Sequence, residues 1–126
     1  MPIEEKGEWK NLSQGILRQR LVMEGTTQEM IDPNQIIDYL DKLSEISGMV
    51  VVKAAQASNA HECGYAGWIH WKTSGCHFYS YPGVEGAPPL FTVDTYTCKP
   101  FSIKKVVEFT KNYFQTIDLV WQEIKV

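Results

Sequence analysis

The first third of the chain contains a short apolar run, which is typical of a strand, and then a segment with apolar residues at helical spacing. Residues 19–25 form an apolar run that ends at a glycine, which predicts a first strand. Asp32, Pro33 and Gln35 then supply an N-cap, a proline at the first helical position and a side chain that can cap in return. Apolar residues recur at helical spacing from this point to Gly48, so we expect a first helix that ends there.

Aromatic and β-branched segments dominate the middle of the chain. Residues 49–59 begin with a valine-rich run and predict a second strand. Residues 67–73 and 76–81 are both rich in aromatic side chains, and only Ser74 and Gly75 separate them. The two segments therefore form either a tight hairpin or one long strand interrupted at that dipeptide.

The last third of the chain completes the pattern. Residues 82–89 carry three prolines and two glycines and predict a mobile loop that serves as the rim or the lid of a site. Residues 90–98 alternate like a strand, Ser102 can cap a helix over residues 103–114, and residues 117–126 return to strand character. This order predicts an α/β (α+β) two-layer sandwich, in which two helices lie on one face of a mostly antiparallel sheet.

Length and charge narrow the possible functions. A chain of 126 residues has room for one domain, so we expect residues 1–126 to form it, with residues 1–17 as a loosely ordered extension. The net charge is -3 and no basic stripe stands out, which argues against nucleic acid or an acidic membrane surface as a partner. A small, roughly neutral ligand fits this composition better.

The N-terminus and the cysteines point to a reducing compartment. Residues 1–14 contain no apolar run, so we expect neither a signal peptide nor a membrane span. Cys63, Cys76 and Cys98 are an odd number of cysteines and lie in segments that resemble packed core, unlike a secreted disulfide framework. We therefore expect a cytoplasmic protein.

Two kinds of site can be built from the thiol and imidazole side chains of His61, Cys63, Cys76, His77 and Cys98. A zinc site would use them as ligands, but the paired spacings typical of zinc ligands are absent, which favours buried structural cysteines and no metal. A thiol enzyme would use one cysteine as nucleophile and His77 as base, and no local motif supports it.

A third interpretation comes from the segment Val93-Asp94-Thr95-Tyr96-Thr97-Cys98. It resembles the Val-Asp-Val-Phe-Thr-Cys strand of the small prokaryotic, pyruvoyl-dependent S-adenosylmethionine decarboxylase family. Upstream, residues 64–67 followed by a strand and Thr73-Ser74 are similar to the family's Gly-x-Ser-Gly, strand and Glu-Ser cleavage site at the same spacing. Tyr81-Pro82 stands where the family has Trp-Pro, and the similarity runs from Gln19 to the end of the chain.

The resemblance implies a lyase of polyamine synthesis that cleaves its own chain between Thr73 and Ser74. Ser74 would become a pyruvoyl group, which serves as the electron sink for decarboxylation without pyridoxal phosphate. Cys98 holds the position of the acid that reprotonates the substrate carbon, and a thiol of pKa ~8.5 keeps its proton near neutral pH. The resemblance also implies a homodimer that associates through sheet edges or faces.

Three positions depart from the family pattern, and all of them bear on self-cleavage. Thr73 replaces the Glu before the serine, Ala66 replaces the Ser that holds the ester-forming intermediate, and Tyr79 replaces the His that drives β-elimination. A Tyr of pKa ~10 is a poor base at neutral pH. His77 lies two residues before Tyr79 on the same strand face, ~6 to 7 Å away, and is a candidate for the missing imidazole.

The resulting site hypothesis has catalytic and substrate-binding parts. Ser74, Cys98, His77 and Tyr79 form the catalytic group. Asp94 and Tyr81, which lie in the segments that resemble the family, are expected to bind substrate. By its chemistry alone, a strand aspartate lies either on a solvated face or in a polar site. We expect Ser74, His77, Tyr79, Asp94 and Cys98 to converge on one cavity that binds S-adenosylmethionine or a related amino acid. The alternative is an unprocessed member of the family that binds a small ligand or a protein partner without lyase activity.

The remaining aromatic residues of this region have a simpler interpretation. We expect Trp68, Trp71, Phe78 and Tyr96 to belong to the core, because large aromatic side chains at strand positions pack more often than they stack on a ligand.

Overall fold

The computed structural model describes residues 7–126 and has the expected two-layer α+β architecture. A sheet of six antiparallel strands in the order β2-β3-β4-β5-β1-β6 carries both helices on one face. The elements are β1 (Gln19–Thr26), α1 (Pro33–Ser47), β2 (Val51–Asn59), a short 3-10 turn (His61–Cys63), β3 (Tyr65–Trp71), β4 (Ser74–Tyr81), β5 (Leu90–Thr97), α2 (Ile103–Phe114) and β6 (Leu119–Ile124).

Local side-chain signals set the ends of α1. The Asp32 carboxylate accepts the backbone N–H of Gln35 at 2.8 Å, and the Gln35 side chain accepts the N–H of Asp32 at 2.9 Å. Gly48 ends the helix in the left-handed region, with a φ of 75°. Ser102 caps α2 in the same way as Asp32 caps α1, through the N–H of Lys105. Both predicted helix starts are thus confirmed.

The core lies between the sheet and the two helices. Alternate residues of β1, β3, β4 and β5 point into it, and Phe78 and Phe91 of neighbouring strands are fully buried and stacked at 5.6 Å. Tyr39 of α1 is also fully buried, and its hydroxyl shares a hydrogen bond of 2.7 Å with Thr110 of α2. These contacts hold both helices on one face of the sheet, and neither helix among residues 7–126 covers the other face.

The two aromatic segments form a tight hairpin, which decides between the two alternatives that the sequence allowed. The turn consists of Lys72 and Thr73, and Ser74 and Gly75 already belong to β4. Ser74 has a φ of 137°, in the region that side chains with a Cβ seldom adopt. The unusual position is therefore the first residue of β4.

Two expectations about individual residues need correction. Trp71 and Phe78 are core residues as expected, but Trp68 is half-buried and Tyr96 is 38% exposed, because both point to the uncovered face of the sheet. Of the predicted N-terminal extension, residues 1–6 lie outside the described part of the chain, and residues 7–18 contain no helix or strand.

Candidate functional site

The uncovered face of the sheet, called here the open face, carries an unusual density of polar and aromatic side chains. Strand alternation and register place them in neighbouring rows. They comprise Arg20 and Glu24 of β1, Trp68 and His70 of β3, His77, Tyr79 and Tyr81 of β4, and Thr92, Asp94 and Tyr96 of β5. The apolar Val22 of β1 lies on the same face.

A cavity of about 380 Å³ opens on this face above Gly75. Gly75 pairs with His70 on one side and with Tyr96 on the other, so the missing side chain leaves a gap between them. A Cβ at position 75 would lie 2.5 Å from the backbone oxygen of Ile69, so the close approach of the two strands requires glycine. The remaining residues of the wall are Arg20, Trp68, Ile69, Ser74, Cys76, His77 and Asp94.

A forked ion pair lies on the wall of the cavity. Arg20 donates from Nε and Nη2 to the two carboxylate oxygens of Asp94, at 3.0 and 2.7 Å. The hydrogen bonds and charge of Asp94 raise the pKa of the guanidinium. His77 is the direct cross-strand neighbour of Asp94 on β4. Asp94 therefore occupies a polar site, one of the two environments expected for a strand aspartate.

Ser74 and Cys98 meet at the edge of the cavity, although 24 positions separate them in sequence. The Ser74 Oγ lies 3.9 Å from the Cys98 Sγ, and the Cys98 thiol is exposed. The backbone N–H of Cys98 donates to the carbonyl oxygen of Thr73 at 2.9 Å, which ties the hairpin turn to the end of β5. A hydroxyl, a thiol and the carbonyl that precedes Ser74 thus lie together.

Three of the five residues expected in one cavity line it, namely Ser74, His77 and Asp94. Cys98 contacts Ser74 at the edge. Tyr79 lies farther along β4, is 43% exposed and stacks on Tyr81 at 6.2 Å.

Position 66 lies beside position 79 across the sheet. Ala66 is the β3 partner of Tyr79, so the two departures from the family pattern face each other on neighbouring strands. Their methyl and phenol groups replace a hydroxyl and an imidazole that the family pattern would place there.

Two of the cysteines are exposed and one is buried. Cys63 is exposed in the 3-10 turn, Cys98 is exposed after β5, and Cys76 is buried in the core, where burial raises the pKa of its thiol to about 12. His77 and Cys76 are consecutive in a strand and point to opposite faces, so His77 cannot serve as base for that thiol.

Two further properties follow from the described part of the chain. Within it, no three histidine, cysteine or carboxylate side chains lie close enough together to hold a metal ion. Neither α1 nor α2, the helices among residues 7–126, has the length and apolar character needed to cross a bilayer.

Comparison with known proteins supports the fold independently. No protein-family model matches the sequence, and no curated protein matches it significantly. Among solved structures, the adenosylmethionine decarboxylase from Aquifex aeolicus VF5 superimposes with a TM-score of 0.68 at 18% sequence identity. The alignment covers 86% of this chain and 89% of that chain. The two proteins therefore share a fold over nearly their whole length.

Sequence reasoning missed Arg20. Its partner Asp94 is 74 positions away, and a single arginine in a strand carries no motif. The β1–β5 register, which places Arg20 diagonally opposite Asp94, would have been needed to find it.

Proposed function

We propose that this chain is an S-adenosylmethionine decarboxylase-like protein that cleaves itself between Thr73 and Ser74. After cleavage it decarboxylates S-adenosylmethionine, or a related amino acid, in polyamine synthesis. The observation that carries the proposal is the position of Ser74, which has a φ of 137° and an Oγ 3.9 Å from the Cys98 thiol. The shared fold and the sequence resemblance give that pair its chemical interpretation.

Cleavage would begin at the strained residue. The Ser74 Oγ attacks the carbonyl carbon of Thr73, and an ester replaces the peptide bond. Backbone strain at such a position costs about 1 to 3 kcal/mol, part of which is released once the peptide bond breaks. Elimination of the ester leaves a dehydroalanine at position 74, and its hydrolysis releases ammonia and yields a pyruvoyl group.

The surrounding residues fit a pyruvoyl group at position 74. Ser74 lines the cavity, so a ketone there would face it, and such a ketone supplies an electron sink for decarboxylation. Cys98 is exposed beside it and can hold a proton for return to the substrate carbon.

We assign the role of elimination base to His77, which lines the cavity together with Ser74. His77 lies on the open face two residues before Tyr79, and a neutral imidazole has a ring nitrogen that can accept a proton. Tyr79 does not line the cavity but stacks on Tyr81 farther along β4, so this proposal gives it no role in proton transfer.

The cavity has the size of a small-molecule site, about 380 Å³. Asp94 is a substrate-binding residue in this proposal, and Arg20 holds its carboxylate in place. Tyr81 extends the aromatic surface of the open face beside Tyr79.

We further propose that two copies associate through their open faces. Val22, Tyr79, Tyr81 and Tyr96 give this face an apolar and aromatic character that a lone two-layer sandwich leaves in water.

Three free cysteines agree with a reducing compartment such as the cytoplasm.

A second candidate function is favoured by the pairing of Ala66 with Tyr79. If these two replacements prevent self-cleavage, the chain remains intact and the cavity binds its ligand without lyase chemistry.

The intact mass of freshly purified protein separates the two candidates. Self-cleavage predicts two fragments, one ending at Thr73 and one beginning with a pyruvoyl group, and Ser74→Ala must abolish both. A single species at 14.4 kDa after prolonged incubation would favour the unprocessed binder. In that case the double change Ala66→Ser with Tyr79→His should increase cleavage, and no increase would mean that Ser74 is not a cleavage site.

Binding and turnover complete the test. Calorimetry with S-adenosylmethionine reports binding, and a carboxyl-labelled substrate reports release of carbon dioxide. Binding with release supports the decarboxylase, binding without release supports the second candidate, and the absence of both rejects the two proposals.

A further inference from the structure

The end of β5 holds the proposed scissile peptide by two independent hydrogen bonds. The backbone N–H of Cys98 donates to the Thr73 carbonyl oxygen at 2.9 Å. The hydroxyls of Thr73 and Thr97 share a second hydrogen bond of 3.1 Å. One bond reaches the carbonyl that Ser74 would attack, and the other fixes the side chain of the same residue.

We propose that the Cys98 backbone N–H is the oxyanion donor of self-cleavage and that the Thr97 hydroxyl is its positioning group. This inference rests on the proposed function, because it concerns the first step of that cleavage. The donor belongs to the backbone, so it is present whatever side chain stands at position 98.

The chemistry of the first step explains why a donor is needed there. When the Ser74 Oγ forms its bond to the Thr73 carbonyl carbon, the carbonyl oxygen takes the negative charge. The C–N bond to Ser74 then breaks, and the hydroxyl proton ends on the new amine, so the products are an ester and an amino group. A pre-positioned N–H stabilises the charge as it develops. Ala66 has no side-chain donor to offer, whereas the Cys98 N–H already points at this oxygen.

Thr97 fits a positioning role because its hydroxyl connects the turn after β5 with the hairpin residue Thr73. It is fully buried and accepts the N–H of Lys99 at 3.1 Å, while also contacting the hydroxyl of Thr73. The Thr97 hydroxyl oxygen therefore contacts both partners of the proposed oxyanion contact. It shapes the turn that contains Cys98, and it holds Thr73, whose carbonyl oxygen accepts the Cys98 N–H.

Hydroxylamine separates this step from the later elimination. It cuts an ester but spares a peptide bond, so it releases a Thr73 hydroxamate and a fragment with an N-terminal serine whenever the ester forms. Freshly synthesised protein is incubated with and without hydroxylamine, and both spontaneous and hydroxylamine-dependent cleavage are followed by intact mass. We expect cleavage between residues 73 and 74 in the unmodified sequence and none in Ser74→Ala.

Two buried threonines of β5, Thr97 and Thr95, provide the test of the positioning role proposed for Thr97. Thr97→Val should slow ester formation about 10-fold or more, because small misplacements at a reacting centre have large effects. Thr97→Ser keeps the hydroxyl and should restore the rate. Thr95→Val is the matched control, since Thr95 is equally buried two residues earlier and bonds instead to Cys76. Equal rates in the two valine variants would overturn the role of Thr97.

The donor is tested by changing one atom. Cys98→Ala keeps the N–H and serves as the reference for a second variant with lactic acid at position 98. Lactic acid replaces the N–H of that alanine with an ester oxygen and should slow ester formation about 100-fold relative to the alanine variant. Equal rates for alanine and lactic acid, or neither spontaneous nor hydroxylamine-dependent cleavage in the unmodified sequence, would overturn the proposal. Ester formation without carbon dioxide release would reject the decarboxylase function alone and leave this inference standing.

Discussion

The backbone of Ser74 gives a stability prediction that does not depend on catalysis. A residue with a Cβ at a φ of 137° carries strain of about 1 to 3 kcal/mol, which a glycine would not carry. Glycine in turn lowers stability by roughly 0.5 to 1 kcal/mol relative to alanine through its flexibility in the unfolded chain. Ser74→Gly should therefore be more stable than Ser74→Ala by about 1 kcal/mol.

Urea denaturation of the two variants measures this difference directly. Neither variant has the Ser74 hydroxyl, so both stay uncleaved and their unfolding free energies can be compared. Lys72 provides the matched control, because it is exposed in the same turn and its φ is outside the left-handed region. Its glycine and alanine variants are made in the Ser74→Ala background, so they also stay uncleaved. There, glycine should be less stable than alanine by roughly 0.5 to 1 kcal/mol. Subtracting the control difference isolates the strain. A glycine effect of the same sign and size at both positions would refute strain at Ser74.

Three further predictions use other features of the structure. Cys98 should react with a small alkylating reagent in the folded protein and be shielded by S-adenosylmethionine, whereas Cys76 should react only on unfolding, as intact mass will show. Between about pH 9 and pH 12 the unfolded chain loses the Cys76 proton while the folded chain keeps it, so stability should fall as pH rises; urea titrations should show a weaker fall for Cys76→Ala. Asp32→Ala should lower the unfolding free energy by about 1 kcal/mol, measured by the same denaturation, and an unchanged value would contradict the capping role.

The elements of the fold were predictable where short segments carry their own signals. The start of α1 depends on Asp32, Pro33 and Gln35, which lie within four positions of each other, and the structure shows the predicted reciprocal bonds. The hairpin turn was harder to place. A Ser-Gly pair is a common turn, but the chain turns two residues earlier, at Lys72 and Thr73, since strand pairing continues through both residues of the pair.

The candidate site was predictable only in part, because its members meet through strand pairing. Cys98 and Ser74 came from a resemblance, and no local pattern shows that their side chains are 3.9 Å apart. The cavity depends on a missing side chain at Gly75 between two neighbouring strands, which only the register reveals. The sequence also suggests that Trp68 and Tyr96 are core residues, because strand periodicity does not show which face of the sheet the helices cover.

The strand order has a consequence for any chain cut between Thr73 and Ser74. The first fragment would hold β1, β2 and β3, and the second β4, β5 and β6. Yet β1 lies between β5 and β6, and β3 pairs with β4, so three of the five strand ladders join one fragment to the other. Strands of the two fragments would be interleaved in one hydrogen-bonded sheet. Size-exclusion chromatography and native mass would then show one particle whether or not the backbone is continuous, and only denaturing conditions would separate the halves.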